Sequence, residues 1–191
     1  MAKKKKTRSK PRTTAKKPKD DAIALLEADH AEARALLTQL EQSTERAVEK
    51  RTKLLAKVAP ALWIHMRIEE EIFYPAFEAA KRSSDDEVRG IEALAEHGAA
   101  KTALTRLEAC DPATTEFRAM AKVVFDLIDH HAGEEEDEMF PRARKLLGAE
   151  ALRAIGQQLR AAKEELKASA GSPKRASRTA PAQGPTSAAA E

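Results

Sequence analysis

The chain has little cysteine and few aromatic residues. One of its 191 residues is cysteine, Cys110, and 4% are aromatic, so it has neither a disulfide framework nor a thiolate metal cluster. No segment approaches the ~18 apolar residues of a transmembrane helix. The basic N-terminus is not followed by the apolar stretch of a secretory signal. These absences predict a protein of the reducing cytoplasm that does not enter a membrane.

The formal net charge of +3 conceals a division along the chain. Residues 1–19 hold ten Lys or Arg and no acid, whereas residues 20–170 hold 30 acidic and 21 basic side chains. Both tails, 1–19 and 171–191, are rich in Lys, Pro, Ser, Thr and Ala, and this composition predicts disorder. The arm at 3–19 has the charge to bind nucleic acid or another polyanion nonspecifically. The alternative is that it only solubilises the chain or docks electrostatically on the acidic part of the same chain.

A motif of His, Glu, an aromatic residue and Pro occurs twice. Residues 65–75 read HMRIEEEIFYP and residues 131–141 read HAGEEEDEMFP. A second histidine lies upstream of each copy, His30 and His97, and each is followed by Leu-Thr-x-Leu-Glu. The offset is 67 residues between the upstream histidines and 66 between the downstream ones. The joint match indicates an internal duplication with a single-residue gap.

Apolar residues recur at helical spacing between 21 and 170, and almost nothing there is typical of a strand. The pattern predicts a first helix that is capped by Asp20 or Asp21 and runs to about 42, and a second helix over about 45–81. A capping box at Ser84 to Glu87 opens a third helix over about 85–109. A fourth helix runs from Pro112 to about 147 and is closed by Gly148, and a fifth follows over about 149–168. Pro60 and Pro75 predict a kink or an end, and Pro141 a bend.

Four amphipathic helices with short connections predict an all-α, up-down-up-down four-helix bundle. We expect a disordered basic arm at 1–19, the bundle at 20–148, an additional C-terminal helix at 149–170 and a disordered tail at 171–191. The additional helix either packs across the bundle or mediates self-association, so the number of subunits stays open.

Adjacent histidines compete for the inward position of the fourth helix. His130 and His131 are about 100° apart on a helix, so only one of them points inward. The residues three, four and seven before His131 are all apolar, whereas those before His130 include Asp126. The repeat also aligns His131 with His65. We therefore predict that His131 and Glu135 face the core and that His130 flanks them.

A His and a Glu four residues apart share a helix face and supply half of a metal coordination shell. The predicted inward set is His30, His65, Glu69, His97, His131 and Glu135. Burying these groups unpaired costs several kcal/mol, and metal coordination removes that cost. Imidazole and carboxylate ligands suit iron, manganese or zinc, and helix bundles commonly hold two bridged metals. The other acids of the motifs are expected to be solvated or to flank the site. The nearby aromatic residues, Tyr74 included, are expected to pack the bundle.

These residues resemble the hemerythrin-like, or HHE cation-binding, family over about 21–147. The resemblance rests on the order His…His-x-x-x-Glu…His…His-x-x-x-Glu, with an aromatic residue and Pro after each Glu. It implies a non-haem di-iron centre in a four-helix bundle. It also implies terminal ligands and bridges as follows: His30, His65, His97 and His131 as terminal ligands, and Glu69 and Glu135 as bridges.

Two positions depart from the oxygen-carrying members of that family. Those members have a second His four residues after the third-helix His and a bridging Asp five residues after the last His. Here the two places hold Lys101 and Glu136, which argues against reversible oxygen carriage. Arg34 and Lys101 hold matching places in the two halves, where they either pack along the core edge or steer anions. With His130 and Glu136 they are expected to surround the metal ligands.

Three functions stay open at this point. The leading one is a cytoplasmic di-iron protein that binds or reacts with O₂, peroxide or NO, or handles iron, with or without catalase- or peroxidase-like turnover. The second is a metal-stabilised helical module that its basic arm tethers to nucleic acid or another polyanion. The third is a metal-free helical scaffold.

Overall fold

The computed structural model describes residues 21–171, and every regular element in that range is helical. The α-helices are α1 Ala22–Glu41, α2 Val48–Ile68, α3 Tyr74–Ala80, α4 Ser84–Ala109, α5 Thr115–Glu134 and α6 Phe140–Gly171. Two π-helical segments, Glu69–Phe73 and Glu135–Met139, join α2 to α3 and α5 to α6. The predicted four-helix bundle is confirmed. None of the helices within 21–171 is long and apolar enough to cross a bilayer. The predictions for 1–19 and 172–191 fall outside the described residues.

α6 consists of two helical parts that meet at Gly148. The φ angle of Gly148 is +77°, a left-handed conformation that favours glycine. The first part continues α5, and the two together form the fourth long helix, or rod, of the bundle. The second part is the additional C-terminal helix, and α6 packs against α1 and α2 with Leu152, Ile155 and Leu159 buried. Gly148 therefore closes the fourth rod, as predicted, and the fifth helix covers one side of the bundle.

Two apolar clusters fill the bundle on either side of a polar layer. The first cluster includes Leu37, Leu40, Leu62, Leu104, Phe117 and Ile128. The second includes Ile23, Leu26, Ile68, Phe73, Phe77 and Phe140. Each inward histidine lies along its helix between the two clusters, as His97 does between Ala93 and Ala100. The core packing thus holds the polar layer at a fixed height in the bundle.

The π-helical segments carry the helices through two prolines. Each segment begins at the Glu of the repeat, and the backbone N–H of Tyr74 donates to the carbonyl of Glu69, five residues earlier. Pro75 and Pro141 lie two residues beyond the ends of the two segments. A proline inside an α-helix clashes with the carbonyl four residues before it and lacks an N–H, and the wider π turn accommodates both effects. The helical rods therefore continue past Pro75 and Pro141, where the sequence predicted a kink, an end or a bend.

The start of α4 differs from the predicted one by one residue. Ser83, not Ser84, is the cap: its hydroxyl accepts from the Asp86 N–H, and the Asp86 carboxylate accepts from the Ser83 N–H. Asp86 is buried and forms a two-point ion pair with Arg142 of α6. This long-range pair favours the earlier cap, because the acid of the capping box must face α6.

α5 begins at Thr115 rather than at Pro112. Thr114 caps it by accepting from the Phe117 N–H at 3.2 Å, while Asp111 and Pro112 form a turn closed by the Thr114 N–H. Arg51 of α2 donates to the carbonyl of Pro112 at 2.7 Å and so stabilises the turn. The break predicted at Pro60 is not found. Helix α2 continues through Pro60 and packs against α1 and α4.

We expect Arg51→Met to destabilise the protein. The guanidinium is fully buried and donates to Ser43 and to the Pro112 carbonyl at 2.7–2.9 Å, and it lies 5.2 Å from the ring centre of Phe117. Methionine keeps the volume but leaves buried acceptors unpaired, so the free energy of unfolding should fall by about 2–4 kcal/mol. Denaturant unfolding measures the change. Lys53→Met on the exposed face of α2 is the control and should change it by less than ~0.5 kcal/mol; equal effects would contradict the argument.

Candidate metal centre

The structure brings the six predicted inward side chains together in the polar layer. His30, His65, Glu69, His97, His131 and Glu135 are each at most 5% exposed. Ligand atoms of His30, His65, Glu69 and Glu135 lie within 4.8 Å of one another, and so do those of Glu69, His97 and His131. Glu135 Oε2 lies 3.2 Å from His30 Nε2 and 3.6 Å from His131 Nε2. The two glutamates therefore stand between two pairs of histidines.

The Nε2 atoms within each histidine pair face each other. Those of His97 and His131 are 3.0 Å apart, as are those of His30 and His65. In the first of these pairs each Nδ1 lies 2.7–2.8 Å from a glutamate oxygen. A carboxylate only accepts hydrogen bonds, so it places the imidazole proton on Nδ1 and leaves a lone pair on Nε2. Two lone pairs at 3.0 Å repel each other unless a cation or a proton lies between them.

The two central carboxylates lack the hydrogen bonds that buried carboxylates normally have. Among the described residues, neither oxygen of Glu69 has a hydrogen-bond partner of good geometry, and neither does Oε2 of Glu135. The Tyr74 hydroxyl donates to the other Glu135 oxygen at 2.9 Å. An unpaired buried carboxylate is strongly unfavourable, and a buried polar atom without a partner points to an ion or water.

The donor set fits a metal ion. Four imidazole nitrogens and two carboxylates without thiolate suit iron, manganese or zinc. Two nitrogens 3.0 Å apart match ligands about 2.1 Å from one ion and about 90° apart. The buried polar layer is therefore a candidate metal centre.

A ring of outer carboxylates orients the histidines. Glu136 lies 2.9 Å from His30 Nδ1, Glu70 lies 2.7 Å from His97 Nδ1, Glu96 lies 2.8 Å from His131 Nδ1, and Asp29 lies 3.7 Å from His65 Nδ1. Each of these acids directly follows a central Glu or directly precedes an upstream His in the repeat. Asp29 stays farther away because it is one methylene shorter than Glu96, its counterpart in the second half.

Basic side chains hold three of these outer carboxylates. Arg34 donates to Glu136 at 2.8 Å, and Lys101 donates to both oxygens of Glu70 at 2.6 Å. Lys163 of α6 pairs with Asp29. Arg34 and Lys101 thus lie next to the polar layer and contact its outer acids rather than the buried histidines and glutamates.

The sequence prediction missed the hydroxyl of Tyr74, and of the outer acids it singled out Glu136 alone. The Tyr74 hydroxyl lies 3.1 Å from His97 Nε2, although the residue was expected only to pack the bundle. Its repeat counterpart is Phe140, which stacks on His30 with ring centres 5.7 Å apart, so the duplication carried no signal for a hydroxyl. His130 is 63% exposed and lies outside the polar layer.

The environment shifts the pKa values of the central groups in opposite directions. Burial raises the pKa of Glu69 well above its usual value, and the charge of Glu135 raises it further. Burial also raises the pKa of Glu135, but the nearby imidazoles of His30, 3.2 Å away, and of His131 outweigh it, and the net pKa is lowered. Burial lowers the pKa of His97 to about 4, and the charge of His131 adds to this. Without a metal ion, Glu69 therefore takes up a proton before Glu135 does.

Known proteins match this chain both in sequence and in fold. A sequence model of the hemerythrin HHE cation binding domain matches residues 21–143. A protein of Nostoc sp. named DNA nickase is 25% identical over 138 residues, which are 72% of this chain and 38% of that protein; the chain thus spans well under half of that relative. A crystal structure of a hemerythrin HHE cation binding domain-containing protein from Mycobacterium kansasii has a TM-score of 0.68, covers 78% of this chain and 89% of its own at 24% identity, and shares the fold.

We expect Glu69→Gln to stabilise the metal-free protein. Because the pKa of Glu69 is raised in the folded state, its ionisation removes stability as the pH rises from the unfolded value of about 4.5 through the folded pKa. A neutral amide avoids that loss, so the free energy of unfolding should rise by about 1–2 kcal/mol at pH 8 and by less at about pH 4.5. Urea unfolding after chelation, at both pH values, measures it.

The matched control is Glu71→Gln, since Glu71 is about half exposed two residues away. It should change the free energy of unfolding by less than ~0.5 kcal/mol at either pH. A Glu69→Gln protein that is less stable than the parent at pH 8 would contradict the assigned charge state of the centre.

Proposed function

The chain belongs to the hemerythrin HHE cation-binding family, and on that premise we propose that the polar layer holds a non-haem di-iron centre. The centre would bind or react with O₂, peroxide or NO, or handle iron, in the response to oxidants. The observation that carries the proposal is that His97 Nε2 and His131 Nε2 face each other at 3.0 Å beside the Glu69 carboxylate, for which residues 21–171 offer no hydrogen-bond partner. The family favours iron, whereas the donor set also fits manganese and zinc.

The arrangement suggests which residues would hold each ion. His30 and His65 would bind one iron, and His97 and His131 the other. Glu69 and Glu135 lie between the pairs, with Glu69 Oε2 3.1 Å from His65 Nε2 and 3.4 Å from His97 Nε2. Carboxylates that reach nitrogens of both pairs are suited to bridge two ions.

Two side chains support a reaction other than reversible oxygen carriage. Glu136 occupies the place of the bridging acid in the carriers, but it faces His30 Nδ1 and Arg34 on the outside of the centre. Lys101 occupies the place of an additional histidine and pairs with Glu70. Glu136 is not among the residues whose ligand atoms cluster in the buried layer, and Lys101 donates to both oxygens of Glu70 instead.

An iron pair, when bound, supplies electrons and a coordination position for a small oxidant. The chain supplies the surroundings. The apolar clusters on both sides exclude bulk water, and the outer acids keep the imidazole protons on Nδ1. Tyr74 holds a proton at its hydroxyl, 2.9 Å from Glu135 Oε1 and 3.1 Å from His97 Nε2. Phe140 leaves the other half without this proton donor, so the two metal positions are expected to differ in reactivity.

Metal analysis tests the proposal directly. Protein purified from iron-replete cells should carry about two irons per chain and show near-ultraviolet oxo-bridge bands that change when peroxide is added. His131→Ala should lower the iron content to one or less, because it removes a buried nitrogen ligand. His130→Ala removes the same side chain one position earlier, at an exposed site, and should keep the full content after long reconstitution. A parent protein that retains no metal after reconstitution would overturn the proposal.

A second candidate function, nucleic-acid binding, is favoured by the charge of the N-terminal arm. Residues 1–19 hold ten Lys or Arg, and a relative of the bundle is named DNA nickase. We propose that the arm binds phosphate backbones without sequence preference while the bundle carries the metal.

Deletion of residues 1–19 tests this second function. The parent should bind a short DNA duplex with an affinity that falls at least about tenfold between 50 and 200 mM salt. The deleted protein should lose this binding while its metal content stays the same. Duplex binding that is insensitive to salt, or that survives the deletion, would contradict the assignment to the arm.

A further inference from the structure

A second His–Glu pair lies on the outer face of α5, one residue before the buried one. His130 Nε2 is 3.3 Å from Glu134 Oε1 and 3.3 Å from Glu96 Oε1 of α4. Ligand atoms of the three residues lie within 4.8 Å of one another. His130 and Glu134 are 63% and 48% exposed, and Glu96 is 22% exposed. An imidazole and two carboxylates thus converge where an ion from solvent reaches them.

The duplication makes this pair conspicuous. The counterparts of His130 and Glu134 in the first half are Ile64 and Ile68, and both belong to the second apolar cluster or pack against it. They lie on the side of the bundle where α6 packs against α2. The same face of the second half is exposed to solvent and carries metal-ligand side chains instead. The two halves therefore differ on the outer face next to the polar layer, which is apolar and covered in the first half and polar and exposed in the second.

A pocket beside the trio reaches the buried centre, because Glu96 and Glu134 of the trio line it together with Glu135. Its volume is about 270 Å³, and its lining includes five glutamates: Glu92, Glu96, Glu134, Glu135 and Glu138. The cation in the lining, Arg89, is paired with Glu138. Glu135 is 1% exposed, and its Oε2 has no hydrogen-bond partner of good geometry among residues 21–171. The pocket thus leads from two carboxylates of the exposed cluster to a central carboxylate with one oxygen that lacks a hydrogen-bond partner among the described residues.

We infer that Glu96, His130 and Glu134 form a peripheral site for a divalent transition-metal ion, which receives the metal before it passes to Glu135 and the centre. The imidazole favours Fe²⁺, Mn²⁺ or Zn²⁺ over Ca²⁺ or Mg²⁺. The negative lining raises the local concentration of cations. Glu96 touches both sites, since its Oε2 lies 2.8 Å from His131 Nδ1. The transfer step rests on the proposed metal centre, whereas the peripheral site itself does not.

The test compares metal uptake by the parent with uptake by a His130→Ala, Glu134→Gln variant. Metal-depleted protein is mixed anaerobically with Fe²⁺, or with Co²⁺ as a coloured substitute, and filling of the tight sites is followed by stopped-flow absorbance. The variant should load about five- to tenfold more slowly and reach the same final content. Added salt should slow the parent more than the variant. Glu71→Gln, an exposed charge outside the pocket lining, is the control and should load at the parental rate.

Equilibrium titration with Co²⁺ provides the second readout. The parent should bind one weak equivalent beyond the tight ones, and the variant should lack it. Equal loading rates in parent and variant would overturn the transfer role while leaving the metal centre intact. If the parent holds no metal tightly, the proposed function fails and the transfer role falls with it. The peripheral site is then decided by the weak equivalent, and a parent without it, or a variant that keeps it, shows only a solvated ion-pair cluster.

Discussion

The constraint on which the structure depends is the burial of two carboxylates and four imidazoles in the middle of a small helical bundle. Such a layer is unfavourable unless its charges and lone pairs are matched. On the outside, acids match it by hydrogen bonds to the Nδ1 atoms of His30, His97 and His131. Toward the centre, the Nε2 atoms and the oxygens of Glu69 and Glu135 face one another with Tyr74 as the nearby donor. The fold thus buries these groups at the expense of the stability of the metal-free chain.

The backbone is adapted to the same layer. Each central glutamate opens a π-helical turn, and a proline follows each turn. A π turn is wider than an α turn, so it shifts the helical register between the helix before each central glutamate and the helix after it. Apolar residues on both sides therefore still face the core. π turns are frequent at functional sites, and here each one combines the placement of a ligand with the passage of a proline. The apolar clusters above and below then keep the ligand helices in place.

The two halves of the duplication share the ligand pattern but differ around it. Tyr74 in the first half is replaced by Phe140 in the second, so one histidine pair has a hydroxyl beside it and the other has a stacked ring. α6 covers the face that carries Ile64, whereas the equivalent face at His130 is exposed. A symmetric set of buried histidines and glutamates is thereby placed in an asymmetric protein, with one side closed and the other open to solvent through an acidic pocket.

The sequence by itself determined the helices, the duplication and which histidine of the pair 130 and 131 points inward, because these follow from the helical repeat and from residues three or four apart. Only the tertiary structure decided what depends on distant contacts. The ion pair of Asp86 with Arg142 accompanies the cap at Ser83. The acids that hold each histidine come from other helices, and the hydroxyl of Tyr74 reaches Glu135 across the bundle. Helical spacing states which face a side chain is on, but the partner across the core is set by how the helices pack.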